Sequence, residues 1–400
     1  MNNIIRIDTG IDTFEASLNN LEYIQVDAVY RKLRKLDREA GRFHAPDKQG
    51  ENIKYKSRAL VSQGLNQIRT YQSGRYSNGI SVAVNPDTLE YGAYRPPSLY
   101  DPTTGYAELL PPRILDRLEA AGLKDTRGTK ITEDRLSVSQ VDVTYNLWLD
   151  DDTDLSPMLN LFYKGNMPAG FQRRKGKPYF CISAGYVAVK AYDKVQQLDE
   201  HGLLPPELAG KKILRIEVSM KREKLVERLG IDRGCGMAEI LTAAYQSSDE
   251  IIEGYLRRLF PSSAEHLTYD QAMRIVGKQA KSSKRERMLF LMEAAGRGGF
   301  NGLDAAIDAT VCHFGLQYNQ LASMWQEFDR IGVNPITLPN KSEIDRITNI
   351  RHMIGMYRRR ISDECLSLQS FIDLDERMKA AGRWSGDTKF KKSVAKWKKV

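Results

Sequence analysis

The sequence predicts an α+β fold, an antiparallel sheet followed by a helical C-terminal region that ends in a winged-helix-like element. Three observations carry this. Between residues 136 and 221, the segments LSVSQVDVTYNLW, PYFCISAGYVAVKAYDK and KKILRIEVSMK alternate apolar and polar residues, the period of a half-buried strand. From about residue 237 the apolar residues recur at helical spacing, through MAEILTAAYQSSDEIIEGYLRRLF and RERMLFLMEAAG. The 400 residues, 41% of them apolar, suffice for two or three domains with sizeable cores.

Taken in order, residues 1–78 form a polar N-terminal region with one helix pattern, in which Val26, Val29, Tyr30, Leu33 and Leu36 share a face. Residues 79–230 form a sheet-bearing domain. It opens on two strand-like runs flanking Asn85-Pro86-Asp87-Thr88, a turn sequence. A helix follows around Arg113 to Ala121, with Pro111 and Pro112 at its start. The second alternating segment reads as a hairpin turning near Ala184-Gly185, and the acidic LDDDTDLS reads as a connecting loop. Residues 231–345 form a helical region. Within it DAAIDATVCHFGLQYNQLASMWQEFDRIG reads as two helices joined at Gly315, a loose helix-turn-helix pattern. Residues 346–400 are a basic helical segment and tail. No internal repeat stands out.

Net charge is +9, which favours a polyanionic partner. At the C-terminus, KFKKSVAKWKKV sets six lysines among Phe390 and Trp397, a composition that suits phosphates and stacked bases and equally a solvated tail. No apolar run reaches spanning length, and the N-terminus lacks a secretory pattern, so the expectation is a cytoplasmic protein without membrane contact. Cys181, Cys235, Cys312 and Cys365 are far apart and match no metal spacing.

Strand side chains alternate between faces. Val141, Val143, Tyr145 and Leu147 oppose Gln140, Asp142, Thr144 and Asn146. Val187, Val189 and Ala191 oppose Lys190, Tyr192 and Lys194, while Leu214, Ile216, Val218 and Met220 oppose Arg215, Glu217 and Ser219. In one antiparallel sheet, Asp142, Tyr192 and Glu217 would converge on an open polar face. Two carboxylates on rigid strands can hold a hard divalent cation, which polarises a phosphoryl oxygen. A nearby metal or lysine can assist deprotonation of a tyrosine whose free pKa is about 10. A lysine adds positive charge beside the transition state. The plain alternative is that these are ordinary solvent-face residues of a half-polar sheet.

SQVDVTYN, VAVKAYDKVQQL and LRIEVSMKREKL, in this order, resemble the motifs of the gene II-type replication initiators of filamentous phages, a family related to rolling-circle initiators of plasmids that lack a double-histidine motif. The motifs span roughly residues 75–230. The resemblance implies an antiparallel-sheet nuclease domain and a site-specific nickase. Tyr192 would be the DNA nucleophile, with Lys194 assisting, and Asp142 and Glu217 would bind Mg2+ or Mn2+. It implies origin DNA, double- and single-stranded, as substrate, a host helicase and polymerase as partners, and the bacterial host cytoplasm as location. Two departures stand out. Gln140 occupies the place of the family's arginine, and Gln197 the place of a glutamate that would be the third metal ligand. Asp193, Asp199 or Glu200 are the other carboxylates near that place. A mobilisation relaxase and a non-enzymatic origin-binding regulator remain alternatives.

The five histidines never form His-x-His, which argues against the double-histidine nickases. GRGGFNG, residues 296–302, is followed by no Gly-Lys-Ser/Thr, and no nucleotide-hydrolysis signature occurs, so no nucleotide cofactor is expected. RHMIGMYRRR falls on one amphipathic helix, where Arg358, Arg359 and Arg360 suit phosphate contacts or a solvated face.

Overall fold

The computed structural model describes residues 3–42, 45–49, 52–73, 78–104, 106–151, 153–174, 179–297 and 302–364. The chain divides into two units, residues 1–351 and 352–400. Of the second, residues 352–364 are described; they are helical, with Arg358, Arg359 and Arg360 exposed. The lysine tail and Cys365 lie outside the described residues, as does most of GRGGFNG.

The first unit is a mixed α+β structure with a ten-stranded antiparallel sheet and a largely helical C-terminal region. Its elements run β1 (Ile4–Leu21), α1 (Tyr23–Glu39), β2 (Asp47–Gln49), β3 (Asn52–Ser57), β4 (Leu65–Gln72), β5 (Asn78–Val84), α2 (Pro86–Tyr91) and α3 (Leu110–Ala120). Then come β6 (Ser137–Leu149), α4 (Leu155–Lys164), β7 (Gln172–Arg173), β8 (Phe180–Ala184), β9 (Val187–Asp193), α5 (Lys194–Glu200), β10 (Lys212–Lys221), α6 (Arg222–Leu229), α7 (Met237–Gln246) and α8 (Ser248–Leu259). The strand order is β2-β3-β4-β5-β1-β6-β10-β9-β8-β7.

Three expectations need correction. The division at 78/79 does not separate two structures, because β1 pairs with β6 at the centre of the sheet and β4 pairs with β5. The division at 230/231 also fails as a boundary. α7 and α8 pack on the sheet's apolar face, and the Tyr145 hydroxyl donates to Asp249 Oδ1 of α8 at 2.6 Å. Asn85-Pro86-Asp87-Thr88 starts a helix and does not turn a hairpin: Asn85 Oδ1 accepts the Thr88 amide at 2.8 Å, a side-chain cap with proline at the first helical position. The β8–β9 hairpin is as expected, and Gly185 supplies its positive φ of 27°. In the acidic loop, Asp154 caps α4 by accepting the Ser156 amide at 2.9 Å.

The sheet contains an internal duplication that the sequence reading missed. Each half runs long strand, helix, four further strands and helix, with α5 inserted before the last strand of the second half, and each half is ordered with its fifth strand beside its first: β1, β5, β4, β3, β2 on one side and β6, β10, β9, β8, β7 on the other. Phe14 and Val141 face each other across β1·β6 and so lie on a pseudo-twofold axis. Outward from it, Phe14, Val84 and Leu65 form one row, and Val141, Met220 and Val187 form its equivalent. Asp12 bulges from β1 and Ser139 from β6 at equivalent places. The helices obey the same relation. Tyr30 of α1 meets Tyr55 of β3 with ring centroids 5.5 Å apart, and Phe162 of α4 meets Phe180 of β8 at 5.5 Å.

The helical region continues through α9 (Tyr269–Gln279), α10 (Ser282–Arg297), α11 (Gly302–Phe314) and α12 (Tyr318–Arg330), with a two-stranded sheet of β11 (His266–Leu267) and β12 (Arg346–Ile347). α11 and α12 are the two helices expected on either side of Gly315. Among the described residues no helix is long and apolar enough to cross a membrane.

Candidate functional site

Alternation and register together build the site. β6 pairs with β10 so that Asp142 lies opposite Ser219 and Thr144 opposite Glu217. β10 pairs with β9 so that Glu217 lies opposite Lys190 and Arg215 opposite Tyr192. The side chains of Asp142, Glu217, Lys190 and Tyr192 therefore meet on one face, as the strand patterns predict.

The Tyr192 hydroxyl donates to Glu217 Oε1. Lys190 Nζ lies 2.9 Å from Glu217 Oε2 and 3.6 Å from Asp142 Oδ2, between the two carboxylates. Asp142 also accepts from Thr13 Oγ1 and from Gln140 Nε2, each at 3.0 Å. Gln140 thus stays neutral beside the acid it serves. The Tyr179 ring lies 5.8 Å from that of Tyr192.

Sequence reasoning missed two members. Asp12 sits in the β1 bulge, which turns its carboxylate to Arg215 Nη1 at 2.6 Å. Arg215 is 1% exposed. It donates to Asn146 Oδ1 at 2.7 Å and to the Pro97 carbonyl at 3.0 Å, and its Nη1 lies 4.0 Å from Glu217. The alternation put Arg215 on this face, but nothing local marked it as the cation that joins Asp12 to the site. Asp12 was illegible because a bulge breaks the pattern that would have placed it.

The face is also less open than expected. Asp142, Thr144, Asn146, Arg215 and Glu217 are buried. The loop after α2 covers part of it: the Pro97 carbonyl accepts Asn146 Nδ2 at 2.7 Å as well as Arg215, and Tyr100 exchanges backbone hydrogen bonds with Ile11. Gly10, next to Thr144, allows this approach; a Cβ there would stand 2.5 Å from Leu99 Cβ. At the far end α5 closes the face with a small apolar cluster of Leu198, Leu208 and Ile213 against Trp148. Lys190, about a quarter exposed, is the accessible edge of the acid pair.

The charges follow from this packing. Burial would raise Glu217, but Lys190 and Arg215 outweigh it and hold its carboxyl well below the usual range. Burial raises Asp142 against the pull of Lys190. Glu217, then Asp142, raise Lys190 against its burial. Burial, then the negative charge of Glu217, push the Tyr192 phenol well above its ordinary value. Lys194 is pulled down to about 8 by burial, with Arg215 adding to the effect.

Gln197 does not join the acid pair through any contact described; its Oε1 accepts from Lys194 Nζ at 2.8 Å. The other carboxylates near it are also engaged or remote. Asp193 caps α5 by accepting the Val195 and Gln196 amides, Glu200 accepts from Gln196, and Asp199 is exposed. A third carboxylate, Asp12, reaches the pair only through Arg215, which lies 2.6 Å from Asp12 and 4.0 Å from Glu217. Asp142 and Glu217 offer oxygen donors, as a hard divalent ion prefers. An ammonium group already lies between these two carboxylates, so a cation is electrostatically favoured there. Among the described residues, no three His, Cys, Asp or Glu side chains close around one point as metal ligands do. Comparison of the sequence with protein-family models and with curated proteins finds no match.

Proposed function

We propose that the chain is a rolling-circle replication initiator, a nickase that cuts and rejoins one strand of origin DNA through a 5′-phosphotyrosine link on Tyr192. The observation that carries this is the meeting of Tyr192, Glu217, Asp142 and Lys190 on one sheet face, from three strands far apart in sequence. Glu217 accepts the Tyr192 hydroxyl and so aims it. The tyrosine oxygen gives up its proton and forms the bond to phosphorus as the 3′ oxygen of the preceding nucleotide leaves and takes up a proton, and reversal of this step rejoins the strand. Lys190 supplies positive charge for the pentacovalent transition state, and Lys194, buried at the start of α5, would assist.

Mg2+ or Mn2+ would be held by Asp142 and Glu217, and would polarise the phosphoryl oxygen. Lys190 lies between the two carboxylates as their counter-charge. The helical region 231–345, with α11 and α12 as its helix-turn-helix or winged-helix element, would recognise the duplex origin. A host helicase and polymerase would extend the freed 3′ end. A mobilisation relaxase would use the same chemistry for transfer. A regulator that binds the origin without cutting is favoured by one observation, the neutralisation of both acids by Lys190 and Arg215.

Mass spectrometry of the chain incubated with a candidate origin oligonucleotide and Mn2+ tests the reading. The expected result is a covalent adduct on the peptide bearing Tyr192, lost in Tyr192→Phe and reduced by orders of magnitude in Asp142→Asn and Glu217→Gln. An adduct of undiminished yield in Tyr192→Phe would sink the assignment. DNA binding without any adduct would favour the regulator.

A further inference from the structure

The pseudo-twofold axis relates the Tyr192 site to a second constellation on the same face of the sheet. Row by row, Tyr71 stands where Tyr192 stands, Arg69 where Lys190 stands, and Glu15 where Asp142 stands. The ion pairs correspond as well: Arg69 Nη1 to Glu15 Oε1 at 3.0 Å, and Lys190 Nζ to Asp142 Oδ2 at 3.6 Å. The differences all run one way. Ser81 holds the place of Glu217, and Gly79 the place of Arg215, so the second carboxylate and its buried arginine are gone. Lys56 pairs with Arg69 where Cys181 pairs with Lys190, and Lys54 pairs with Tyr71. Both lysines are exposed and make no ion pair among the described residues. With Arg69, Tyr71 and one acid, Asp47, they line a depression of about 440 Å³.

We propose that this N-terminal half-site holds single-stranded DNA, resting on the nickase reading of the other half, with Lys54, Lys56 and Arg69 on phosphates and Tyr71 stacked on a base. The loss of the second carboxylate removes the oxygen pair that a divalent ion or a tyrosine proton would need. The gain of two exposed lysines beside a tyrosine ring gives the pattern of a single-strand platform, where charge follows the backbone and an aromatic face takes a base. β4 and β9 lie five strand spacings apart, about 24 Å across the sheet, and the twofold sets Tyr71 and Tyr192 towards opposite ends of the strands, about 34 Å apart along them. A single strand running diagonally over β5, β1, β6 and β10 would connect the two tyrosines.

The test is fluorescence anisotropy of a labelled 20-nucleotide single strand with the full chain carrying Tyr192→Phe, across a salt series. Adding Lys54→Gln with Lys56→Gln is expected to weaken binding at least tenfold at low salt. It should make the salt dependence shallower by about 1.4 in slope, two single-strand phosphate contacts. Adding Tyr71→Ala instead should weaken binding by about tenfold, while Tyr71→Phe, which keeps the ring, should not. Melting temperatures report that each variant is folded. Binding unchanged by the double lysine substitution would overturn the proposal, as would an equal loss for a duplex of the same length, which would mark a general polyanion surface. Because this assay needs no cleavage, failure of the nickase reading is registered separately, as absence of an adduct with Tyr192 intact.

Discussion

Lys194 shows how burial sets the chemistry of single residues here. It is 4% exposed, and the loss of solvation brings its ammonium down to about 8 from an ordinary value near 10.4. Between these two values the unfolded chain binds a proton that the folded chain does not, so folding stability rises with pH across that window. Below pH 8 both states are protonated and the contribution is flat, at its least favourable. The wild-type chain should therefore gain stability relative to Lys194→Met from pH 8 to 10, by up to about 3 kcal/mol. Urea unfolding of both proteins at several pH values measures this; a difference independent of pH would show that Lys194 keeps its ordinary value. If its charge assists strand cleavage, the ratio of wild-type to Lys194→Met nicking should fall over the same window. At this scale much of the site was legible, because alternation alone fixed the shared face of Asp142, Lys190, Tyr192 and Glu217. The partners of Gln197 and Asp193 were not. Whether a side chain reaches across the sheet or caps its own helix depends on the path of α5, which alternation does not encode.

At the scale of elements, helices α7 and α8 decide where the sheet-bearing structure ends. Ile240, Leu241, Ala244, Ile251 and Ile252 are fully buried, and Tyr145 beneath them is too. Removing both helices would expose this apolar face of β6 and β10, at about 25 cal/mol for each Å² uncovered. It would also strip Asp249 from the Tyr145 hydroxyl. A fragment ending at Gly230 should therefore fail to fold, whereas one ending at Ser262, past α8, should fold and retain the Tyr192 site. Far-UV circular dichroism melts of the two fragments decide this, and a cooperative transition for the shorter one would mean that α7 and α8 are accessory. The helices themselves were legible from their periodicity. Their attachment was not, since an amphipathic helix shows that it has an apolar face and not which surface receives it. β1 escaped for a different reason. In IIRIDTGIDTFEASLNNL the Asp12 bulge shifts the alternation by one residue midway, so no single period runs through the strand.

For the sheet as a whole, duplication raises the question of whether the halves behave as two domains. The joint between them answers it. β1 and β6 pair over twelve positions, against six for β1 and β5 within the first half. The long strand of each half is therefore also the neighbour of the other half, and neither half can unfold without leaving the other an unpaired edge. The duplication was hidden in the sequence because the halves share residue character and little identity. Ile68-Arg69-Thr70-Tyr71 and Val189-Lys190-Ala191-Tyr192 occupy equivalent rows, yet only the tyrosine is common. The segments between the strands also differ in length, with α5 lying between β9 and β10 and no described helix between β4 and β5. Phe14, 1% exposed and on the axis, tests the joint. Phe14→Ala should cost about 3–5 kcal/mol through lost burial and the cavity left behind. Because the residue belongs to both halves in effect, the loss should appear equally on each side. Hydrogen exchange read on peptides from β4 and from β9 should show both losing protection together, by the same free energy. Loss confined to β4 and β5 would show that the two halves unfold independently, and that the central ladder is an interface between domains and not the spine of one sheet.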